Sequence, residues 1–438
     1  FFFSFFFLFV LNGKTQEGEI LTLEDCLRIG IDNNLSLEGK RKEIQRSKYG
    51  VSENRSKLLP QINAIAGYSN NFDPPVSVTD GSSYGVPYNI TQTLQHSANA
   101  GLEMQMPLFN QTLYTSMSIA KVMEEISRLS YGKAREDVIL QISKMYYLGQ
   151  VTAEQIMLIK ANITRLEELR DITQAFFDNG MSMEVDLKRV NINLENLKVQ
   201  YDNAQAMMKQ QLNMLKYIMD YPAEREIALT PVNTDSITTV ALTGLSENIY
   251  ELQLSQSQVQ LAERQKKIIT NGYIPSLSLT GSWRYAAYTD KGYHWFHSGP
   301  SNQWFRSYGV GLTLRIPIFD GLDKTYKIKK AMIDIENKRL AWEDARKNLQ
   351  TQYLNAVNDL MNNQRNFKKQ KDNYLLAEDV YAVTSDRYRE GIASMTEVLQ
   401  DEMQMSEAQN NYISAHYNYR VTNLMLLKLT GQIESLVK

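Results

Sequence analysis

The chain has 438 residues and a formal net charge of −2, and 22% of its residues are charged. Because both signs are mixed along the sequence, we expect no polyanion-binding surface and no nucleic-acid partner. With four histidines and one cysteine, a disulfide framework and a cysteine-rich metal centre are excluded, and we predict no cofactor.

The stretch from Phe1 to Leu11 is almost wholly apolar. A helix of this length cannot cross a hydrocarbon layer of about 30 Å, but it is typical of the apolar region of a secretory signal. We therefore expect residues 1–18 to be a signal-peptide remnant and an N-terminal tail. No later run of 18 apolar residues occurs, so any insertion of the chain into a membrane must use strands.

The first half of the chain has helical and strand patterns in succession. Thr22 can cap a first helix, and Leu58-Leu59-Pro60 ends it. Adjacent prolines and several glycines mark residues 73–95 as a loop, and Asn179-Gly180 breaks a long helical pattern. The predicted elements are helix 21–57, strands 61–72 and 98–106, and helices 111–178 and 182–221.

The second half follows the same plan after an irregular equatorial segment at 222–244, in which Ile227–Leu229 has a short strand pattern. Gly391 ends its long helix as Gly180 ends the first one. The predicted elements are helix 245–271, strands 276–285 and 308–316, helices 320–390 and 394–430, and a tail at 431–438.

The strand exits of the two halves indicate a duplication. Each exit joins a proline, a bulky pair and an Asn or Asp directly to a long helix: Met106-Pro107-Leu108-Phe109-Asn110 and Ile316-Pro317-Ile318-Phe319-Asp320. The two prolines lie 210 residues apart, and Pro60 and Pro275 precede the partner strands. We predict an internal two-fold repeat with these four prolines at strand–helix junctions. Its halves are 21–221 and 245–430, with β-hairpins at 60–106 and 275–317.

The helix lengths predict how the elements stack. Helix 111–178 has 68 residues, nearly matching the 40 of helix 182–221 and the 27 of helix 245–271 taken together. The 71 residues at 320–390 compare with 37 at 394–430 and 37 at 21–57. We therefore expect each long helix to lie beside two shorter ones stacked end to end, with both chain termini at the level of the equatorial segment.

Each predicted strand has two different faces. In the last strand, Val310, Leu312 and Leu314 alternate with Gly311 and Thr313, and about ten residues suffice to cross a bilayer obliquely. In lipid a sheet must close, because an unpaired edge leaves backbone groups without partners. Four strands cannot close a barrel, since the smallest known kind has about eight. Several copies of the chain must therefore contribute.

Aromatic side chains cluster at the loop ends of the strands. Rings at a membrane–water interface explain this clustering. The alternative is a soluble β-domain with an aromatic core, although two hairpins that carry such long helices would be hard to bury. The set is Tyr68, Phe72, Tyr84, Tyr88, Trp283, Tyr285, Tyr288, Tyr293, Trp295, Phe296, Trp304, Phe305 and Tyr308.

Nearly the whole chain resembles the TolC-type outer-membrane efflux protein family. The resemblance depends on the order of several motifs: Leu21-Thr22-Leu23-Glu24-Asp25, Asn33-Asn34, Leu59-Pro60, Ile274-Pro275, the two strand exits and the two glycine helix tips. It implies a fold that is mainly α with membrane β. Three chains, with four strands each, would form a twelve-stranded outer-membrane β-barrel that a long periplasmic α-helical barrel continues.

The same resemblance implies a function. Members of the family are passive exit ducts for inner-membrane pumps, in tripartite efflux or type I secretion systems. The implied partners are therefore a homotrimer, a periplasmic adaptor (membrane fusion) protein, an inner-membrane pump and outer-membrane lipid. Drugs, metal ions and polypeptides use similar ducts, so the resemblance does not select a substrate. A different class remains as the alternative, a periplasmic coiled-coil scaffold or adaptor, which should be soluble without detergent.

In that family the helix tips at the far periplasmic end close the duct and meet the adaptor. The resemblance makes Gly180 and Gly391 the adaptor-contact tips and places a periplasmic gate at Asp186, Glu397 and Asp401. Ser394-x-x-Glu397 also fits a capping box, so capping and gating both remain open for Glu397.

Two positions near the second tip depart from the family pattern. Gln400 stands where a second acidic ring is expected, and Ala393 stands where some members have a latching arginine.

Three other patterns suggest chemistry weakly. The 18 methionines are more typical of helix packing than of metal transport, and His294 and His297 lack further ligands for a metal. Ser83 lies in a Gly-x-Ser-x-Gly pattern, but within a loop rather than between a strand and a helix. Since no phosphate-binding loop and no HExxH motif is present, we predict that the chain is not an enzyme.

Overall fold

A computed structural model describes residues 19–74, 76–80, 82, 85, 87–92, 94–231, 244–289 and 304–437. The predicted signal remnant and most of the equatorial segment lie outside these residues, as do Ser83, Tyr84, Tyr293, His294, Trp295, Phe296 and His297. The chain divides into two compact units. The helical unit contains Arg128–Leu254 together with residues up to Lys42 and from Trp342 onward; the strand unit contains Glu43–Ser127 and Ser255–Ala341.

Long helices account for most of the described residues. The helices are α1 Leu23–Asn33, α2 Leu35–Ser56, α3 Gln111–Asp178, α4 Glu184–Met219, α5 Tyr250–Asn271, α6 Asp323–Arg389 and α7 Met395–Leu429, with a 3₁₀ turn at Ile433–Val437. The strands are β1 Glu19–Leu21, β2 Gln61–Asn70, β3 Val76–Asp80, β4 Tyr88–Gln92, β5 His96–Phe109, β6 Ile227–Leu229, β7 Ser276–Thr289 and β8 Trp304–Arg315.

The strand unit is built on a four-stranded sheet in the order β2-β5-β7-β8. All three pairings are antiparallel, and β5 pairs with β7 to join the two hairpins. Among the described residues, β2 has a partner on one side only, and so does β8. The sheet therefore ends in two open edges.

The helical unit brings the first strand and the C-terminal turn to the equatorial segment. β1 pairs in parallel with β6, so that Leu21 lies opposite Leu229. One buried cluster contains Leu21, Ile227 and Ile433 together with side chains of α1, α3 and α4. Leu21 of β1 and Ile433 of the C-terminal turn therefore pack in the same cluster as Ile227 of β6.

A second buried cluster joins four helices near the two glycine turns. Leu166 and Leu169 of α3 pack in it with residues of α4, α6 and α7, all of them nearly excluded from solvent. A row of α4 side chains spaced by three and four residues is buried or half-buried, as in a coiled-coil seam: Val190, Leu194, Leu197, Tyr201, Ala204, Met208, Leu212 and Leu215.

The prediction of one helix from 21 to 57 is wrong. β1 occupies the first residues, and Asn34 separates α1 from α2 with φ −56° and ψ 118°. The side chain of Asn34 accepts a hydrogen bond from the Leu37 amide at 3.1 Å and donates one to the Ile218 carbonyl at 2.8 Å. Asn34 therefore caps α2 and ties it to the end of α4, which outweighs the helical periodicity of the sequence.

Other boundaries also differ from the prediction. The loop at 73–95 contains the small β3–β4 hairpin, and the helix predicted from 245 begins only at Tyr250. The strand predicted to stop at Met106 continues to Phe109, with a register shift between Pro107 and Phe109. A bulge accommodates a proline that cannot donate to the ladder, so a proline was a poor sign of where this strand ends.

Candidate functional site

The four-stranded sheet has one apolar face and one polar face. The strand registers bring residues of the same character together: Leu102 lies opposite Trp283, which lies opposite Tyr308, while Glu103 lies opposite Ser282, which lies opposite Gly309. Successive side chains of a strand point to opposite faces, so this alternation extends across all four strands. The faces predicted for single strands therefore combine into two continuous surfaces.

Aliphatic side chains dominate the apolar face and are exposed to a degree unusual for a folded sheet. Val310 is 80% exposed and Leu312 is 66% exposed. The face is formed by Ile62, Ala64, Ala66, Ala98, Ala100, Leu102, Met104, Met106, Leu277, Leu279, Val310, Leu312 and Leu314. A contiguous apolar surface of this kind indicates contact with lipid or with another protein surface.

The polar face carries amide, hydroxyl and charged groups. Glu103 of β5 and Arg284 of β7 form an ion pair on it, and a recess of about 480 Å³ lies beside them. Gly309 and Gly311 contribute no side chain to this face of β8. Such a surface suits contact with water and with polar solutes.

Aromatic residues near the ends of the strands are exposed rather than packed in a core. Phe72 is 88% exposed and Tyr308 is 77% exposed, and Tyr68, Trp283, Tyr288, Trp304 and Phe305 also belong to the exposed class. A soluble β-domain would bury most of these rings. The aromatic-core alternative is therefore contradicted for the described residues.

The four predicted junction prolines occupy different backbone positions. Pro60 and Pro275 stand directly before β2 and β7, where a missing amide hydrogen costs no ladder bond. Pro107 lies inside β5 at its bulge, and Pro317 follows the end of β8 by two residues.

The Asn or Asp at the end of each strand exit holds the start of the following helix. The side-chain oxygen of Asn110 accepts hydrogen bonds from the amides of Thr112 and Leu113 at 3.0 and 3.3 Å. Asp320 accepts from the Lys324 amide at 3.3 Å and from its ammonium at 2.9 Å. These contacts satisfy amides that the first helical turn leaves without a partner, which explains why the exit motif ends in Asn or Asp.

The two glycine tips have the same backbone geometry. Gly180 has φ 74° and Gly391 has φ 76°, in the left-handed region where a side chain is strained. After each glycine, the amide of Met181 or Ile392 reaches back to the Phe176 or Arg387 carbonyl at 2.8 Å. This is the six-to-one bond of a Schellman motif, so both tips are tight helix terminators.

Asp186 and the start of α7 meet through a residue that the sequence did not single out. The guanidinium of Arg189 lies 3.3 Å from the Asp186 carboxylate and 3.4 Å from the Thr396 hydroxyl. Arg189 therefore connects the first turn of α4 with the first turn of α7, next to Glu397. The acidic residue three positions earlier was the available signal, because positions i and i+3 share a helix face.

The capping role of Glu397 is present in the structure. Its carboxylate accepts a hydrogen bond from the Ser394 amide at 3.1 Å, and the Ser394 hydroxyl accepts one from the Glu397 amide at 3.3 Å. This is a complete capping box. The Asp401 side chain is half-buried one turn further along α7.

Glu402 is a buried carboxylate that the sequence interpretation missed. It is 4% exposed, and one of its oxygens has no hydrogen-bond partner among the residues that the structure describes. Burial raises the pKa of Glu402 to about 7. Its spacing gives the signal, since Met395, Leu399 and Met405 are buried in the same stripe and Glu402 lies at its three–four spacing.

Two further features are absent from the described residues. No helix there is apolar over a length sufficient to cross a membrane. Within the same residues, no group of three or more His, Cys, Asp and Glu side chains is placed to hold a metal ion.

The whole arrangement is similar to solved outer-membrane channels. It matches CusC with a TM-score of 0.77 and 16% identity, over 93% of this chain and 91% of that one. It matches the MtrE outer membrane channel of Neisseria gonorrhoeae with a TM-score of 0.74 and 18% identity, over 93% of this chain and 88% of that one. The chain therefore shares the fold of these solved channels.

Sequence comparisons lead to the same class. The outer membrane protein TolC of Vibrio cholerae is 22% identical over 405 residues, 87% of this chain and 84% of the relative. The probable efflux pump outer membrane protein TtgC of Pseudomonas putida is 23% identical over 431 residues, 93% of this chain and 82% of the relative. Residues 29–219 and 245–432 match the family described as outer membrane efflux protein. The chain belongs to that family.

Family membership confirms the resemblance drawn from the motifs. The chain is an outer-membrane efflux protein that extends into the periplasm and serves as an exit duct across the outer membrane. The family is one of transport channels and not of enzymes. Membership of this family contradicts the alternative class, a periplasmic coiled-coil scaffold or adaptor.

Proposed function

We propose that three copies of this chain close a twelve-stranded barrel, and that the barrel and a periplasmic helical barrel form one passive duct. An inner-membrane pump supplies the substrate and the energy, and a periplasmic adaptor joins pump and duct in a tripartite efflux or type I secretion system. The internal two-fold repeat is part of the proposal. It is supported by the element order helix, strand, strand, long helix, helix, which recurs around β2–β5 and β7–β8.

The main support for this proposal is that the outer strands of the four-stranded sheet have unpaired edges in the part of the chain that the structure describes. Its two outer strands, β2 and β8, each leave one row of backbone groups unpaired among the described residues. Its apolar face is exposed as well, with Leu314 at 61% and Ile62 at 65%. Unpaired edges are tolerated in lipid only if another strand covers them. Pairing β8 of one copy with β2 of the next satisfies both edges at once and turns the polar face toward a lumen.

Reconstitution of the purified chain into planar bilayers tests the duct. We expect discrete conductance steps from a detergent-solubilised species whose mass is three times that of one purified chain. A monomer that stays in solution without detergent and gives no conductance would contradict the proposal. Native mass spectrometry of the same preparation fixes the number of copies.

The proposal includes a gate at the helix tips. Asp186, Glu397 and Asp401 of three copies would form rings of carboxylates at the periplasmic entrance, with Glu397 also capping α7. Rings of like charge attract cations into a narrow pore. The ion pair of Arg189 with Asp186 reduces the negative potential at this entrance, so we include Arg189 in the proposed gate.

Block of the pore by a trivalent cation, such as hexamminecobalt, tests the gate. We expect Asp186→Asn with Asp401→Asn to weaken block from the periplasmic side, and Arg189→Gln to strengthen it. The matched control is Asp334→Asn, which removes an exposed carboxylate of α6 far along the chain from either tip. Equal block in all three variants would contradict the gate assignment while leaving the duct itself intact.

The adaptor contact is proposed for the two glycine tips. Met181 and Ile392 follow the glycines directly and are 70% and 63% exposed, as residues at a docking surface would be. A photo-crosslinking residue at either position should capture an adaptor in cells. The same residue at Met157, 61% exposed on α3, is the control and should capture none. Capture at Met157 alone would contradict the assignment.

A further inference from the structure

A cleft in the strand unit lies between α5 and α6, close to the ends of the strands. It has a volume of about 980 Å³ and is lined by α5 residues between Glu263 and Asn271 and α6 residues between Lys329 and Arg339. At its near end Asn271 is buried and donates to the Thr115 hydroxyl at 2.6 Å. At its far end Arg339 pairs with Glu263 at 2.7 Å. The cleft is therefore a bounded space between two helices.

Cationic side chains dominate the lining of this cleft. The lining contains four cationic residues and two carboxylates: Lys266, Lys267, Lys329 and Arg339, with Glu263 and Glu336. Arg339 is neutralised by Glu263, but the three lysines form no ion pair with any described residue. The nearby Lys324 and Lys327 differ, since both are paired with aspartates at 2.9 and 2.7 Å. With four cationic and two acidic side chains in its lining, the cleft has a surplus of positive charge.

Apolar side chains form the other part of the lining. Met332 and Ile333 are 52% and 59% exposed, and Ile335 is buried at the base. A ligand that matches this lining has an anionic group that pairs with the lysines and a hydrocarbon part that packs against the aliphatic side chains. A small inorganic anion or a sugar would leave the apolar part uncovered.

The position along the helices places the cleft beside the membrane. Lys267 precedes the end of α5 by four residues, about 6 Å, and Lys329 follows the start of α6 by six residues, about 9 Å. Between these helix ends and the strands lie exposed apolar side chains, with Ile318 at 94%, Phe319 at 80% and Leu322 at 49%. Exposed apolar residues next to lysines are typical of the boundary between hydrocarbon and headgroups.

We propose that this cleft binds an anionic phospholipid of the periplasm-facing leaflet, with its phosphate at Lys266, Lys267 and Lys329 and part of an acyl chain against Met332 and Ile333. The assignment rests on the proposed function, because it needs β7 and β8 to lie in the membrane. It adds a lipid site at the neck between strands and helices, where a bound lipid fills a gap between two helices of the same hairpin.

Native mass spectrometry of the full chain in detergent tests the lipid site. The probes are phosphatidylglycerol and phosphatidylcholine with the same acyl chains, together with glycerol 3-phosphate. We expect phosphatidylglycerol to bind at least about tenfold more tightly than phosphatidylcholine, because lysines near a surface attract anionic headgroups. Glycerol 3-phosphate should bind more weakly than phosphatidylglycerol.

Two triple variants with equal charge change locate the site. Lys266→Gln, Lys267→Gln and Lys329→Gln together should reduce the preference for phosphatidylglycerol about tenfold or more. The control combines Arg264→Gln, Lys330→Gln and Lys338→Gln, which lie on the same two helices outside the cleft. It should keep the preference of the parent protein.

Several outcomes would overturn the site. Equal losses in both triple variants would show only general charge attraction, and equal binding of glycerol 3-phosphate and phosphatidylglycerol would show an anion site without a lipid. Bilayer conductance of the same preparations separates this failure from that of the proposed function. Conducting protein without a lipid preference contradicts only the lipid site, whereas protein that does not conduct contradicts the duct.

Discussion

The helical unit and the strand unit differ in how far one chain completes them. In the helical unit, four helices bury a shared cluster in which Leu166 and Val398 are fully excluded from solvent. In the strand unit, a regular sheet leaves Val310 80% exposed, and each outer strand has one edge that no other described strand pairs with. The difference is what the proposed barrel requires, in which lipid covers one face of the sheet and strands of other copies pair with its edges.

The largest expected effect comes from placing a charge on the apolar face of the sheet. An arginine on the lipid face of a membrane barrel costs about 2–4 kcal/mol at the bilayer midplane, and a trimer would bear this cost three times. Leu312→Arg should therefore abolish recovery of the protein in the outer-membrane fraction. Thr313→Arg, one residue along β8 on the polar face, is the matched control and should be recovered normally.

Cell fractionation followed by unheated gel electrophoresis measures this difference. If both arginine variants assemble equally well, the two faces are not distinguished by their surroundings. Contact with lipid would then no longer explain why the apolar face of the strand unit is exposed.

A cavity in the helical unit should have the next largest effect. Leu169 is 1% exposed in the cluster that joins four helices, and truncation of such a leucine costs about 2–5 kcal/mol. Leu169→Ala should lower the midpoint of thermal unfolding measured by far-ultraviolet circular dichroism. Met157→Ala, at a position 61% exposed on the same helix, should change it little. Equal shifts would mean that the cluster does not stabilise this unit.

Glu402 should make the helical unit sensitive to pH. Burial raises the pKa of Glu402 from 4.5 to about 7, so the folded protein holds this proton more tightly than the unfolded chain. The stability contribution is complete below about pH 4.5 and is lost as the pH rises through about 7. A shift of this size corresponds to at most roughly 3 kcal/mol. Glu402→Gln should therefore raise the unfolding midpoint at pH 8 and leave it nearly unchanged at pH 4.5.

Thermal unfolding of parent and variant at the two pH values isolates this carboxylate from the others. Tyr381 also has a pKa that burial raises, to about 12. Its hydroxyl therefore stays protonated at both pH values and does not contribute to the difference. A variant that is destabilised at pH 8 would contradict the prediction.

The smallest effect concerns the cap of α7. Ser394→Ala removes one half of the capping box and should cost about 0.5–2 kcal/mol. Glu397→Gln keeps a side chain that can fill the same capping position, so it should cost less while removing the charge. Chemical denaturation followed by circular dichroism measures both. If Glu397→Gln proves the more damaging, the charge of Glu397 matters more for stability than its hydrogen bond.

Periodicity and motif order predicted the long elements well. The 68-residue α3 has its predicted bounds. The helical pattern is uninterrupted between Asn110 and Gly180, so the helix could be assigned from this stretch alone. The period-two pattern around Val310 and Leu312 predicted the two faces of β8, and pairing then aligned the faces across the sheet. These features depend on neighbours along the chain, which the sequence displays directly.

Features that depend on distant partners were missed. Asn34 breaks a helical pattern because its side chain reaches the Ile218 carbonyl, and Arg189 joins Asp186 to Thr396 across two helices. Pro107 does not end β5, because a bulge in the pairing with β7 accommodates it, and the sequence alone does not show that pairing. The carboxylates at the tips were predicted from family resemblance, and their capping and pairing became visible only with the helices in place.

Disulfide trapping between the outer strands tests the central claim most directly. The only cysteine of the sequence is Cys26, so Cys26→Ala gives a cysteine-free background. Into it we would introduce Ala64→Cys on β2 with Val310→Cys, Leu312→Cys or Leu314→Cys on β8, all on the apolar face. Oxidation of at least one pair in membranes should give covalent dimers and trimers, whereas each single variant should remain monomeric. Monomers from every pair, in protein that still conducts, would contradict closure of the barrel through β2 and β8.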